Sequence, residues 1–394
     1  MIMEYWLGLL AVGLLVWVGL SHSSQRRAMK NRVMPPEPDR YPSVTVIRPI
    51  KGLDSGEEEN VRCAFESRYP GSVEVLFVFD DENEPALATV ERVMAERRSQ
   101  GLPVNASVLF SGQPPSTRTG KLNAMIVGME AAKNELIAFI DSDVREDGDI
   151  LRVLVATLLA DDKAGSAFPP VASVAVPKTV GDAGCALMIN GLYEPGAMAA
   201  AESRHGALPY IMGHMMVLTR KAIGAIGGLE SAEGQLVDDM FLGRRLAQFG
   251  YRNKLAPKAV AIHQQDTTFS QFVQILIRWI AFSMSGLPLY PIKVQHWLTG
   301  MAFWAGLIIT LMAAFSGQLL LALLGGLLAL SVPAMINDLH KGMTGSALPF
   351  RYCWASIMMW LVAPVVYAQV VTRREVNWRG RRYRINTAAK LDQI

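Results

Sequence analysis

The apolar and polar positions divide the chain into three stretches. Residues 5–20 (YWLGLLAVGLLVWVGL) carry no charge, and Arg26, Arg27, Lys30 and Arg32 follow soon after. That order predicts a membrane-anchor helix over residues 1–22 with its C-terminal end in the cytoplasm. A cleaved signal peptide would show a basic start and a small-residue cleavage site; neither is present, so an uncleaved anchor is expected. Residues 23–42, basic and containing Pro35, Pro36, Pro38 and Pro42, read as a stiff linker.

From residue 43 the periodicity changes. The β-branched runs SVTVIRP, VEVLFVF, ASVLF and ELIAFID alternate with helical patterns near residues 57–67, 86–98, 121–132 and 150–159. This alternation predicts an α/β domain over residues 43–268, built on a mainly parallel sheet with nucleotide chemistry at the carboxyl ends of its strands. The stretch to about residue 257 is less regular and is expected to carry the acceptor side. Apolar character returns after Phe269. Residues 269–292 predict an amphipathic segment along the membrane surface. Residues 293–372 hold candidate spans near 297–315, 318–335 and 353–371. Three spans would put the tail, residues 373–394, outside. Yet that tail contains Arg373, Arg374, Arg379, Arg381, Arg382 and Arg384, which the positive-inside rule keeps in the cytoplasm. Either one apolar segment is re-entrant or the rule is broken.

Composition supports two parts, one soluble and one in the membrane: 51% of the 394 residues are hydrophobic, and mean hydropathy is +0.23. A net charge of +3 without a basic stripe weighs against a nucleic-acid partner. Cys63, Cys185 and Cys353 lie far apart with no C-x-x-C pair, which weighs against a disulfide framework or a zinc site.

The candidate chemistry is acidic. Asp141-Ser142-Asp143 directly follows the apolar run LIAFI, and carboxylates so spaced at a strand end can share a divalent cation that bridges a diphosphate. A solvated turn is the plainer reading, since Asp and Ser form turns readily. Asp80 and Asp81 also follow an apolar strand, which predicts two acidic pairs at one sheet edge. Lys121, entering a helix, could reach donor phosphates as a point charge. Asp238-Asp239 opens a helix running through FLGRRLAQFG. The helix dipole alone explains acids there, or one of them is a general base for an acceptor hydroxyl. His263, after KAVAI, could complete a metal shell or be structural. Arg278-Trp279 sits in the apolar stretch FVQILIRWIAF, where an arginine needs an anionic partner or snorkels to the interface.

Taken in order, these residues resemble the glycosyltransferase-2 superfamily, and most closely its ceramide glucosyltransferase (family 21) branch. The resemblance covers residues 43–288 and rests on VTVIRPIKGLD, SRYPGSVEVLFVFDDENEPA, TGKLNAMIVGMEAAKNELIAFIDSDVR, AEGQLVDDMFLGRRLAQFGYR and SQFVQILIRW followed by SGLP. It implies a GT-A, Rossmann-like α/β fold, a UDP-sugar donor, a divalent cation (Mn2+ or Mg2+) and inversion by direct displacement onto a membrane lipid. By position, it implies that Asp81 holds the uridine and that Asp141 and Asp143 hold ribose, metal and diphosphate. It makes Asp239 the catalytic base, with Asp238 beside it, and sets Arg278 and Trp279 along the diphosphate and acceptor. One position departs: Ile275 stands where the family has Gln or Arg, and Gln274 comes one residue early, about 100° round the helix.

The expected protein is a multi-pass enzyme of a bacterial inner membrane with its catalytic domain in the cytoplasm. It moves a hexose, glucose by resemblance, from a UDP-sugar to ceramide. A hopanoid, diacylglycerol or polyprenyl acceptor is the alternative, and a non-catalytic scaffold or a transporter is the reading from another class. All three acidic sites are intact, which argues against the scaffold.

Overall fold

The computed structural model describes residues 2–286, 293–373, 375–378, 381–385 and 391–393. Helix α1 spans Ile2–Lys30, past the boundary expected at residue 22. Glu4 in its first turn and Arg27 and Lys30 in its last oppose the helix dipole, so the basic residues extend the helix instead of ending it.

The helices of the soluble part are α2 (Glu57–Cys63), α3 (Leu87–Ser99), α4 (Gly120–Ala131), α5 (Ile150–Leu159), α6 (Val180–Met188), α7 (Glu194–Glu202), α8 (Arg220–Ala225) and α9 (Asp238–Gln248). Its strands are β1 (Val44–Pro49), β2 (Val73–Phe79), β3 (Ala106–Phe110), β4 (Leu136–Ile140), β5 (Val144–Arg145), β6 (Ala164–Phe168), β7 (Val171–Ser173), β8 (Ala207–Leu208), β9 (Met215–Thr219), β10 (Arg252–Leu255) and β11 (Val260–Ile262).

An eight-stranded sheet runs in the order β3-β2-β1-β4-β9-β6-β10-β8. Strands β3, β2, β1 and β4 are mutually parallel, as the β-branched runs predict. Every residue of β4 is buried, as suits a strand covered on both faces. Strand β9 departs from the expected pattern, lying antiparallel to both β4 and β6. Its first residue, Met215, pairs with Ile140 at the end of β4. Residues 213 and 214 are therefore delivered to the edge where Asp141 emerges. A smaller sheet, β5-β11-β7, pairs Ile262 with Val144 antiparallel, and the next positions outward are His263 and Asp143.

After the soluble part come α10 (Phe269–Gly286), α11 (Val294–Phe315), α12 (Leu319–Thr344) and α13 (Ala355–Arg373), then a ribbon of β12 (Glu375–Trp378), β13 (Arg381–Ile385) and β14 (Leu391–Gln393). Among the described residues, four helices are long and apolar enough to cross a membrane: Ile2–Lys30, Val294–Phe315, Leu319–Thr344 and Phe350–Thr372. Helix α10 buries Phe272, Leu276, Ile277, Ile280 and Ala281 against the rest of the protein, while Phe269 and Met284 near its ends are exposed. The ends of the tail, including Arg374, Arg379 and residues 386–390, fall outside the described residues.

Candidate active site

The chain order reverses between β1 and β4, and at their carboxyl ends opens a cleft of about 650 Å3. Ligands of open α/β sheets bind at such switch points. Asp141, Ser142 and Asp143 all line it. Asp141 pairs with Lys121 Nζ at 2.5 Å, and its backbone N–H donates to the His214 carbonyl at 2.8 Å. Lys121 also donates to the Gly213 carbonyl at 3.0 Å. From beneath, fully buried Arg48 pairs with Glu146 at 2.9 Å and donates to the Val144 carbonyl at 3.0 Å. The acidic turn is thus fixed from the α4, β9 and β1 sides.

Asp238 and Asp239 open α9 opposite that turn. Asp238 Oδ1 accepts from the Asp239 amide at 2.9 Å, and Asp239 Oδ1 accepts from the Met240 amide at 2.8 Å, so the helix-dipole reading holds for one oxygen of each. The other oxygens are placed differently. Asp238 Oδ2 is buried without a hydrogen-bond partner. Asp239 Oδ2 lies 2.5 Å from where a Cβ on Gly213 would stand, so only glycine lets β9 approach this carboxylate. Burial, reinforced by the Asp238 charge and opposed by Lys121, pushes Asp239 up to about 7. Burial raises Asp238 as well. Lys121 is disfavoured by burial, but Asp141, Asp238 and Asp239 outweigh that and hold it firmly protonated. Asp239 is therefore poised between acid and carboxylate at neutral pH, as a general base requires.

Among the described residues, no group of three or more His, Cys, Asp or Glu side chains is arranged to hold a metal ion. His263 lines the cleft, half-buried, its basicity lowered by burial and by Arg145, and it does not complete a protein-only shell. Two observations nevertheless fit a cation. Asp143 Oδ1 is buried without a partner, and so is His214 Nδ1 in the turn just before β9. A pair of carboxylates makes a partial shell, which diphosphate oxygens complete in nucleotide sites.

At the far end of the cleft the structure separates Asp80 from Asp81. Asp80 is buried, lines the cleft and pairs with Lys51 Nζ at 2.9 Å. Asp81 is not among the residues lining the cleft, and its carboxylate accepts from the Asn83 amide at 2.8 Å. Asp80, not Asp81, is the acid of that pair which faces the cleft. Lys51 is held in turn by Glu84.

Helix α10 forms one wall, with Gln271, Gln274, Ile275, Arg278 and Trp279 all lining the cleft. The helix presents a broad face, so Gln274 and Ile275 both reach it despite their 100° offset. Trp279 meets Tyr193 edge-on at 5.0 Å and lies 5.7 Å from the His214 ring. Tyr193 ends a π-helical turn, Ile189–Tyr193, which shifts the register so that Tyr193 faces the cleft while Glu194 is fully buried.

Sequence reasoning missed Arg48, Lys51, Tyr193, His214 and Arg381. A buried charge inside the apolar run SVTVIRP was a readable signal for Arg48. His214 and Arg381 reach the site only through strand pairing and chain return, and no local pattern marks them.

Comparison with known proteins agrees with this geometry. The chain is 24% identical over 382 residues to ceramide glucosyltransferase 3 of Caenorhabditis elegans, covering 92% of this chain and 76% of that one. It is 22% identical over 371 residues to ceramide glucosyltransferase 1 of the same organism, covering 90% and 74%. Among solved structures, a mannosyltransferase from Pyrobaculum calidifontis in complex with GDP-Man and Mn2+ matches with a TM-score of 0.55 at 20% identity, covering 90% of this chain and 99% of that one. That likeness establishes the α/β fold as GT-A. The model of glycosyl transferase family 21 matches residues 9–391, and with the acidic cleft and the flanking apolar helices this shows that the chain is a membrane glycosyltransferase belonging to that family.

Proposed function

We propose that this glycosyltransferase transfers glucose from UDP-glucose to the primary hydroxyl of ceramide, with inversion, on the cytoplasmic side of a bacterial inner membrane. The observation that carries the reading is the position of Asp239, a carboxylate raised to about 7 that faces the Lys121–Asp141 pair across one cleft. The names of the relatives support the donor sugar and the acceptor.

In this reading Asp80 and Lys51 bind the nucleotide end, a role the sequence assigned to Asp81. Lys121 and Arg278 offset the negative charge that grows on the departing diphosphate, and fixed charges in a desolvated site are effective for this. Asp141 and Asp143 would hold a divalent cation, which supplies further stabilisation of the leaving group. Asp239 takes the proton from the acceptor hydroxyl as its oxygen attacks the anomeric carbon from the face opposite the diphosphate. Trp279 and Tyr193 exclude water and guide the acceptor in from the apolar helices.

The test is transfer of radiolabelled sugar from UDP-glucose, UDP-galactose, UDP-N-acetylglucosamine and GDP-mannose to ceramide, diacylglycerol and hopanoid in detergent. Label in ceramide from UDP-glucose alone is expected. Label in another lipid, or from another donor, replaces that half of the proposal.

A further inference from the structure

The conflict between three apolar C-terminal helices and a basic tail is resolved by what those helices touch. Helices α1, α11 and α12 form a bundle with two distinguishable ends. At one end the Glu4 side chain of α1 sits beside Gln318 in the turn between α11 and α12. At the other, Asp338 of α12 lies 2.8 Å from His22 and 3.4 Å from Arg26 of α1. Just beyond, Arg27 and Asn31 reach Glu202 of the catalytic domain at 3.4 and 3.0 Å. The second end is the catalytic side, and α11 and α12 make one complete excursion away from it and back.

Helix α13 does not repeat that excursion. Near its start, Ser356 accepts from Asn337 at 2.9 Å, one residue from the Asp338 cluster. Further on, Trp360 packs 3.0 Å from the Cβ position of Gly300, near the catalytic-side start of α11. Two residues past its end at Arg373, β12 begins and packs on α10. Ser356 and Arg373 are separated by about 25 Å along a helix rising 1.5 Å per residue. A crossing helix would put that distance into depth, yet the chain is held to the catalytic side at both ends of α13. Helix α13 packs mainly against α10 and α6, and touches α12 and, through Trp360, Phe303 of α11.

The ribbon then returns to the site itself. Strand β12 packs on α10, and β13 brings Arg381 to 2.8 Å from Asp80 and 3.2 Å from Gln113. Arg381 and Tyr383 share a face of β13 and both line the cleft, while Arg382 between them is exposed.

We propose that the C-terminal ribbon is a wall of the donor site, with Arg381 as a donor-binding residue, and that α13 therefore lies along the catalytic side without crossing the membrane. The protein then crosses three times, through α1, α11 and α12, and its basic tail shares the compartment of the catalytic domain. An apolar helix satisfies its surface at the interface without spanning. The positive-inside rule is kept. Arg381 joins Lys51, Lys121 and Arg278 as a fourth cation along the cleft, a suitable lining for a nucleoside diphosphate.

The placement is independent of the glycosyl-transfer reading, whereas the donor role of Arg381 rests on it; the experiment separates the two. With Cys353 replaced by serine, the variants Arg382→Cys, Arg98→Cys on the catalytic domain and Ser316→Cys in the α11–α12 turn are probed in sealed vesicles with a membrane-impermeant maleimide. Arg382→Cys is expected to label from the Arg98→Cys side and not from the Ser316→Cys side. Labelling from the Ser316→Cys side, alone or as well, overturns the topology. In detergent, Arg381→Ala is expected to raise the KM for the nucleotide-sugar about tenfold or more, with a smaller change in kcat and partial rescue by Arg381→Lys. An unchanged KM removes Arg381 from the donor site. A protein inactive with every donor still reports the topology and is read instead by UDP binding, which Arg381→Ala must weaken by the same factor.

Discussion

Replacing Asp239 by asparagine isolates the proton-transfer role from everything else at the site. Asparagine keeps the shape and the hydrogen bond from the Met240 amide but cannot accept a proton from an alcohol. General-base catalysis contributes roughly 10²–10⁴ in rate, so kcat should fall by about that factor while the dissociation constant for UDP-sugar changes little. The wild-type pH profile supplies a second measure. With Asp239 at about 7, about a tenth of the free enzyme is ionised at pH 6, half at pH 7 and nine-tenths at pH 8. The value of kcat/KM should therefore rise about tenfold between pH 6 and pH 8. Asp238→Asn removes a negative neighbour and should move that limb to lower pH. Stability changes in the opposite sense. Because the folded-state value lies above the unfolded one, protonated Asp239 contributes stability that is complete below about pH 4 and is lost as pH rises through 7. Asp239→Asn should accordingly raise Tm at pH 8 while abolishing transfer. The assay is initial-rate transfer of labelled sugar across this pH range, with donor affinity by calorimetry. Retention of more than about a tenth of wild-type kcat in Asp239→Asn would refute the assignment of the base.

Gly213→Ala places a methyl group 2.5 Å from Asp239 Oδ2 and should lower kcat at least tenfold by displacing the base, with circular dichroism unchanged; wild-type kcat would show that the close approach is dispensable. Glu194 is fully buried, and burial, only partly offset by the Val171 amide, raises it to about 8. Its stabilising contribution is therefore lost progressively up to about pH 8, and Glu194→Gln should flatten the fall in Tm between pH 5 and pH 8; an equal fall in both proteins would contradict this. Chelation should abolish transfer and added Mn2+ or Mg2+ should restore it, since Asp141 and Asp143 would otherwise face a diphosphate uncompensated; full activity in chelator would remove the cation role from Asp143.

The sequence by itself determined the elements and the chemistry they carry. Apolar β-branched runs of five to seven residues read as strands, and SVTVIRP, VEVLFVF, ASVLF and LIAFI all are; the first, second and fourth are largely buried, while ASVLF, at the sheet edge, is only partly covered. Acids directly after such a run emerge at the carboxyl edge of a parallel sheet, which is why Asp141 and Asp143 were legible, while Lys121 and Asp239 were legible as charges in the first turns of helices α4 and α9. Tertiary structure decided what local pattern cannot encode. Whether Asp80 or Asp81 faces the cleft depends on one residue of strand phase. The approach of His214 depends on β9 inserting antiparallel between β4 and β6, a pairing between residues distant in sequence. The raised proton affinity of Asp239 depends on burial and on Asp238, against the opposing charge of Lys121, since field and desolvation are properties of the assembled site and not of a motif. Hydropathy measures only whether a helix tolerates lipid, so four helices qualified to span; the contacts of α13 and Arg381 on the catalytic side, made by folding back across the whole chain, are what separate tolerance from crossing.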